Sequence, residues 1–215
     1  MHLSVAGLSF TYPRARRAVL SDVNLEIPSG TAAAIVGPSG SGKTTLLALV
    51  GGLIPLPTGR ITALDDDGAP HPVPEVASWV MQTVSLLPDR TALDNVKIGA
   101  FSAGVDDVVA ERRARTALDE VDLIHRAGSV ARSLSGGEAQ RVAVARALAS
   151  HRPVLLADEP TGQLDASSSA TVVDALVGHH GERTLLVVTH DLEVAKRCSL
   201  VLELRDGSIV ERERA

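Results

Sequence analysis

An α/β fold built on a largely parallel sheet is predicted by three observations. The all-apolar segment Ala32-Ala33-Ala34-Ile35-Val36 runs straight into the glycine-rich loop Gly37–Thr44 and then into a helix. Two further apolar segments, Val154–Ala157 and Thr184–Thr189, carry polar or acidic residues at their ends. Helical stretches alternate with these strands, the pattern of parallel strands covered on both faces.

The elements follow in order. Leu3-Ser4-Val5 and Leu8–Tyr12 read as edge strands, and Leu25-Glu26-Ile27 leads to a turn at Pro28-Ser29-Gly30. Residues 31–36 form the first buried strand, and a helix runs from Thr44 to about Val50. Residues 55–75 hold five prolines and Asp65-Asp66-Asp67-Gly68, so they read as turn-rich and irregular. Val105, Val108, Val109, Ala114, Ala117, Leu118 and Val121 recur at helical spacing, with Asp106 and Asp107 in the first turn, where negative charge is favoured. A further helix spans Ser135 to about Ala149. Leu200–Val210 reads as a closing hairpin on an Asp206-Gly207 turn. No repeat, low-complexity tract or linker interrupts the chain.

Bulk properties narrow the function classes. A chain of 215 residues, 45% hydrophobic and 22% charged, is globular and long enough for one substantial core. No apolar run approaches the roughly 18 residues needed to cross a bilayer, and Met1–Val5 enters a strand pattern instead of a signal peptide. A single cysteine, Cys198, fits a reducing compartment and reads as a buried thiol without chemistry. His125, His151, His179 and His180 belong to no constellation and read as surface or packing residues. The net charge of −5 and the lack of a long basic run make nucleic acid an unpromising partner.

Gly37-Pro38-Ser39-Gly40-Ser41-Gly42-Lys43-Thr44 fits G-x-x-x-x-G-K-[ST], a phosphate-binding loop, in its required strand-then-helix context. Glycines let backbone N–H groups turn inward around an anion. Lys43 can reach the β- and γ-phosphates, Thr44 can ligate Mg²⁺, and the helix adds the positive end of its dipole. Val154–Ala157 delivers Asp158 and Glu159 to the rim where a parallel sheet binds ligands. Asp158 suits the Mg²⁺ shell and Glu159 a general base that polarises water. Ser135 and Glu138 form an S-x-x-E capping box, which does not explain Gly136-Gly137, since each glycine weakens a helix by roughly 1 kcal/mol. Two glycines there suit a backbone that something approaches closely, making a second anion-binding helix end.

Leu134-Ser135-Gly136-Gly137-Glu138 resembles the signature of the ATP-binding-cassette ATPases, and the likeness covers essentially the whole chain. It implies a P-loop NTPase core with a mostly parallel sheet, an N-terminal antiparallel β-subdomain and an inserted helical subdomain. One domain would span 1–215, with 1–81 and 136–215 as the core and about 83–134 as the helical part. The resemblance implies ATP and Mg²⁺ as ligands. Tyr12 corresponds to the aromatic residue on adenine. Gly37, Pro38, Ser39, Gly40, Ser41, Gly42, Lys43, Thr44 and Thr45 surround the phosphates. Gln82 reaches the metal together with Thr44 and Asp158 and senses a transmembrane partner. On the same resemblance, Ser135, Gly136, Gly137 and Asp165 would act across a dimer, and Glu159, His190 and Lys43 would carry the chemistry.

The resemblance implies that two such cassettes pair head to tail, so that Ser135–Gly137 of one would close over ATP on the loop of the other. A permease on a separate chain would hold the protein at the cytoplasmic face of the membrane. Gly51-Gly52-Leu53, Leu86–Val96 and Glu159–Asp165 are similar to cassettes of the macrolide-exporter and lipoprotein-releasing group, although residues 60–81 are shorter and more proline-rich than in that group. Export therefore heads the expectations. Two alternatives stand beside it. A cassette acting on DNA or ribosomes usually brings coiled-coil insertions or tandem copies, and a non-hydrolysing scaffold would not need the full set Lys43, Asp158, Glu159 and His190.

Overall fold

A computed structural model describes residues 1–178 and 183–211, so His179 and His180 lie outside the described residues. The chain divides into two compact units. One comprises Met1–Ala77, Pro153–Asp158 and His180–Ala215, the other Ser78–Arg152 and Glu159–His179.

The first unit carries β1 (His2–Phe10), β2 (Leu20–Ile27), β3 (Ala32–Val36), α1 (Lys43–Val50), β4 (Arg60–Leu64), β5 (Pro70–His71) and α2 (Val73–Val76). It continues with β7 (Val154–Asp158), β8 (Thr184–Val188), α7 (Leu192–Arg197), β9 (Leu200–Arg205) and β10 (Ser208–Glu211). The division between units falls within β6 (Ala77–Val80). Strand order is β2-β1-β4-β5 in an antiparallel sheet and β10-β9-β3-β8-β7-β6 in the larger one.

β3 lies between β9 and β8 and pairs in parallel with both. All five of its residues are buried, as are those of β7 and β8. Unbroken apolar sequence is what burial on both faces requires. The closing hairpin is as expected, with Asp206 and Gly207 both at positive φ (50° and 80°).

The N-terminal strands differ from the sequence reading. Leu3–Val5 and Leu8–Phe10 belong to one strand, β1, which lies inside its sheet between β2 and β4, and Tyr12 falls beyond its end. The apparent break is a bulge. Register with β2 shifts between Val5 and Leu8, where Gly7 takes φ 63°, so Leu3, Val5, Leu8 and Phe10 all stay buried while Ala6 and Gly7 face out. Residues 55–75 are also more regular than their prolines suggest. β4 pairs with β1 from His2↔Leu64 to Ala6↔Arg60, although Ala63 is its one fully buried residue. Its partner, and not its own apolar pattern, makes it a strand.

The second unit holds α3 (Ala92–Phe101), α4 (Asp107–Glu120), α5 (Gly136–Ala149) and α6 (Ala166–Val177). Thus α5 and α6 group with the helices outside 1–77. α4 buries Ala110, Ala114, Ala117 and Leu118, whereas Val108 is 80% exposed and lies off that stripe. α3 falls in the 83–134 stretch that the resemblance makes helical, but hydrophobic spacing does not pick it out, because apart from Val96 its buried positions, Ala92, Asn95, Gly99 and Ala100, are small or polar. A Thr91–Asp94 capping box starts it. Cys198 is buried, and burial pushes its thiol pKa up to about 11.

α3 and α5 approach so closely that a Cβ on Gly99 would lie 1.9 Å from the Arg146 carbonyl oxygen. Gly99→Ala must force the helices apart and should destabilise the protein by roughly 1–3 kcal/mol. Urea unfolding of the two proteins measures this, and an unchanged midpoint would contradict the close approach.

Candidate nucleotide site

In the first unit, β3, β8 and β7 point the same way and end level. Ile35 pairs with Val188, and Val188 with Asp158. Gly37, Asp158 and the Thr189-His190 step therefore leave the sheet at one carboxyl edge, where open α/β sheets bind ligands.

Two glycines shape the loop after β3. Gly37 takes φ 153° and Gly42 φ 102°. A Cβ on Gly37 would sit 2.3 Å from the Leu204 carbonyl oxygen, and one on Gly42 would sit 2.9 Å from Val19 Cγ1. The loop is thus pressed against β9 and the start of β2, where no side chain fits. Gly42 is also the N-cap of α1, with no side-chain cap and no acid in the first turn. Among the described residues no side chain caps the first-turn N–H groups of this helix end, which leaves them for an anion.

Lys43 is only 9% exposed, and its Nζ donates to the carbonyls of Gly37 (3.0 Å) and Pro38 (3.1 Å). A buried ammonium held by neutral carbonyls alone is a strong attractor for negative charge. Ser41 Oγ is buried without a hydrogen-bond partner among the described residues. Thr44 Oγ1 donates to Asp158 Oδ1 at 3.1 Å, and Asp158 is buried. A hydroxyl and a carboxylate oxygen side by side are hard-oxygen donors of the kind Mg²⁺ takes. The residues present therefore fit both a polyphosphate and a magnesium ion.

Tyr12 is 42% exposed, with its hydroxyl 3.1 Å from Thr45 Oγ1 and its ring edge-on to Phe10 at 4.8 Å. A ring with this much exposed surface could take a flat aromatic partner. At the end of β8, the Thr189 N–H donates to the Ile35 carbonyl (3.1 Å), and Thr189 Oγ1 accepts from the Asp191 N–H (2.9 Å). These bonds anchor the backbone on either side of the exposed His190.

The other expected residues belong to the second unit. Gln82 lies exposed in the segment after β6. Ser135 caps α5: its Oγ accepts from the Glu138 N–H (3.2 Å), and Glu138 Oε2 accepts from the Ser135 N–H (2.8 Å). That backbone N–H holds the Glu138 carboxyl below its usual range, with the Ser135 hydroxyl and Arg126 helping. Arg126 Nε lies 2.9 Å from Glu138 Oε1, which offsets a negative charge at a helix end that could otherwise repel an anion. Gly136 is exposed, and a Cβ there would meet nothing among the described residues within 4 Å. Glu159 is half-buried at φ 44°, a left-handed conformation costing roughly 1–3 kcal/mol for a residue with a Cβ. Asp165 caps α6, accepting from the Ser168 N–H (2.9 Å) and the hydroxyls of Ser167 (2.8 Å) and Ser168 (3.1 Å).

Residues 20–162 match the family model for the ABC transporter. The chain belongs to that family. It is an ATPase cassette, and relatives agree over its length. It is 41% identical to the lipoprotein-releasing system ATP-binding protein LolD 1 of Rhodopirellula baltica, covering 99% of this chain and 97% of that protein. It is 44% identical to the macrolide export ATP-binding/permease protein MacB of Bradyrhizobium diazoefficiens over 92% of this chain. It spans only 31% of that longer relative. Among solved structures, the dimer of MJ0796, a bacterial ABC transporter cassette, superposes with a TM-score of 0.85 at 33% identity, covering 99% and 98% of the two chains. The same cassette in a post-hydrolysis state bound to ADP and Pi matches with TM-score 0.85 at 32% identity. The resemblance to the macrolide-exporter and lipoprotein-releasing group and the P-loop fold class are both borne out. No helix among the described residues of the cassette is long and apolar enough to cross a membrane.

Two buried amides escaped the sequence reading. Asn95 Oδ1 accepts from the Leu87 N–H (2.7 Å), and its Nδ2 donates to the carbonyls of Leu87 (3.1 Å) and Thr91 (2.9 Å), so it pins the stretch after Gln82. Gln140 Nε2 donates to the Pro160 carbonyl at 3.2 Å. A polar residue on the buried side of a helix is the signal that could have found both.

The Ser168 N–H foremost, with the Ser167 and Ser168 hydroxyls, lowers Asp165 to a pKa of about 2 from its ordinary 3.8. The folded-state value is depressed, so its stabilising contribution is present above about pH 4 and fades as pH falls towards 2. NMR titration of the cassette's carboxyl carbons should find Asp165 titrating near 2. A midpoint near 3.8 would show that the cap does not hold the carboxylate.

Proposed function

We propose that this cassette binds ATP with Mg²⁺ on the Gly37–Thr45 loop, pairs head to tail with a second copy, and hydrolyses ATP to drive a membrane-spanning permease outward. One ATPase domain over 1–215 would serve as this motor. The observation that carries the reading is the pair of unlike helix ends. α1 begins in a glycine-shaped loop with a buried Lys43, whereas α5 begins at an exposed Gly136 whose missing Cβ leaves open space. Its own nucleotide occupies the first, and the second is shaped for a phosphate brought by another copy. The dimer of the related MJ0796 cassette supports the pairing. The permease and the outward direction are supported by the names of the LolD and MacB relatives.

Each residue then has a task. Tyr12 offers its ring face to adenine. Lys43 exchanges the two loop carbonyls for phosphate oxygens, and Ser41 Oγ gains a partner. Thr44, Asp158 and Gln82 would hold Mg²⁺, whose charge would offset that of the polyphosphate. Glu159 accepts the proton of a water whose oxygen bonds to the γ-phosphorus, while the bond to the β-phosphate oxygen breaks and ADP and phosphate are released. His190 and Lys43 balance charge on the transferring group. Ser135, Gly136, Gly137 and Asp165 serve the partner copy.

Glu159→Gln should lower turnover by roughly 10²–10⁴-fold while ATP still binds and still supports a dimer by sedimentation. Normal turnover would remove Glu159 from its role. Lys43→Ala should weaken nucleotide binding or turnover by at least about tenfold, roughly the effect of one lost charge-assisted contact. Unchanged ATPase kinetics would refute the loop assignment.

A further inference from the structure

We infer that Gln140 is a positioning residue that ties the exposed N-terminal end of α5 to the segment carrying Glu159. The inference rests on the reading of Glu159 as the general base. Gln140 is 2% exposed, and its Nε2 reaches the Pro160 carbonyl at 3.2 Å, one residue beyond Glu159. Its Oε1 is buried with no hydrogen-bond partner among the described residues. A half-satisfied buried amide is a poor choice for stability, because an apolar side chain of the same shape would avoid the unmatched acceptor. The geometry at Pro160 offers a reason for it.

Glu159 stands at φ 44°, and two turns follow directly. The Gly162 N–H donates to the Glu159 carbonyl (3.2 Å) and the Leu164 N–H to the Thr161 carbonyl (3.0 Å). α5 braces this strained segment at two places. Gln140 holds its start at Pro160, and Gly137 lies against its end, where a Cβ would come within 3.4 Å of Leu164 Cδ2. A left-handed conformation at a non-glycine residue persists only where its surroundings over-determine it. The tie at Pro160 supplies that constraint and fixes where the Glu159 side chain leaves the backbone.

The consequence reaches beyond one site. Under head-to-tail pairing, the first turn of α5 serves nucleotide held by the partner, whereas Glu159 serves nucleotide on its own copy. A displacement of α5 is therefore passed through Gln140 to the base of the other pocket, which couples the two hydrolysis events.

Gln140→Met tests this, since it keeps the volume and removes the donor. In the full chain it should lower kcat by roughly ten- to a hundredfold, the scale of a small misplacement of a catalytic group. KM and the ATP dissociation constant should stay within about twofold, the Hill coefficient for ATP should fall towards 1, and the melting temperature should not drop. Wild-type kcat in the folded variant would overturn the inference. So would a loss of kcat in step with melting temperature and ATP affinity, the mark of a purely structural role. Gln140→Leu is read in the same way, and failure of both variants to fold would also assign Gln140 to structure alone. Glu159→Gln, measured alongside, separates the two ideas. If it turns over normally, the base assignment fails. If it is inactive while Gln140→Met is fully active, only the positioning inference fails.

Discussion

Because Ile35, Val188 and Asp158 sit level on three hydrogen-bonded parallel strands, the loop after β3, the carboxylate ending β7 and the Thr189-His190 step after β8 leave the sheet together. A slip of one residue in a strand turns every side chain to the opposite face. With all residues of these strands buried, a slip would also disturb core packing on both faces. The register is therefore enforced by the core, and the alignment of the ligand-binding edge comes with it. The close seat of Gly37 against Leu204 and of Gly42 against Val19 adds a second restraint, holding the loop to β9 and the start of β2.

The cassette has two helix ends built on opposite electrostatic principles. α1 starts bare, with Gly42 as its cap and no acid in the first turn, so its positive end is uncompensated. α5 satisfies part of its own need through Ser135 and Glu138, and Arg126 offsets the carboxylate. The first end can hold a polyanion by itself with the help of Lys43. The second is capped by its own side chains and keeps an open backbone at Gly136, which would suit the proposed contact with a partner's nucleotide. On the proposed head-to-tail pairing, ATP acting between two copies would explain why one chain carries both.

Strong local chemistry made part of this legible in advance. The phosphate loop, the Asp158-Glu159 pair and the Ser135 cap are contiguous motifs, so residue types at short spacings announce them even though the loop is also held by β9 and the start of β2. α5, the buried strands and the hairpin on Asp206-Gly207 follow from periodicity and turn chemistry alone. Where the reading missed, the stabilising partner was distant in sequence. β4 is a strand through β1, and β1 looked like two strands because a bulge at Gly7 resets its alternation. α3 hid behind a buried face of Ala, Asn and Gly that packs by closeness and not by apolar bulk.

The sequence by itself determined the family, the phosphate loop and the identity of the acidic pair, because these depend on residue types at short, fixed spacings. Tertiary structure alone decided that Lys43 is buried on two carbonyls, that Thr44 meets Asp158, and that Glu159 turns left-handed beside a carbonyl held by Gln140. Thr44 and Asp158 are separated by more than a hundred residues, and Gln140 reaches Pro160 from a different element. Contacts over such separations arise from how the elements pack, which no local pattern in the chain encodes.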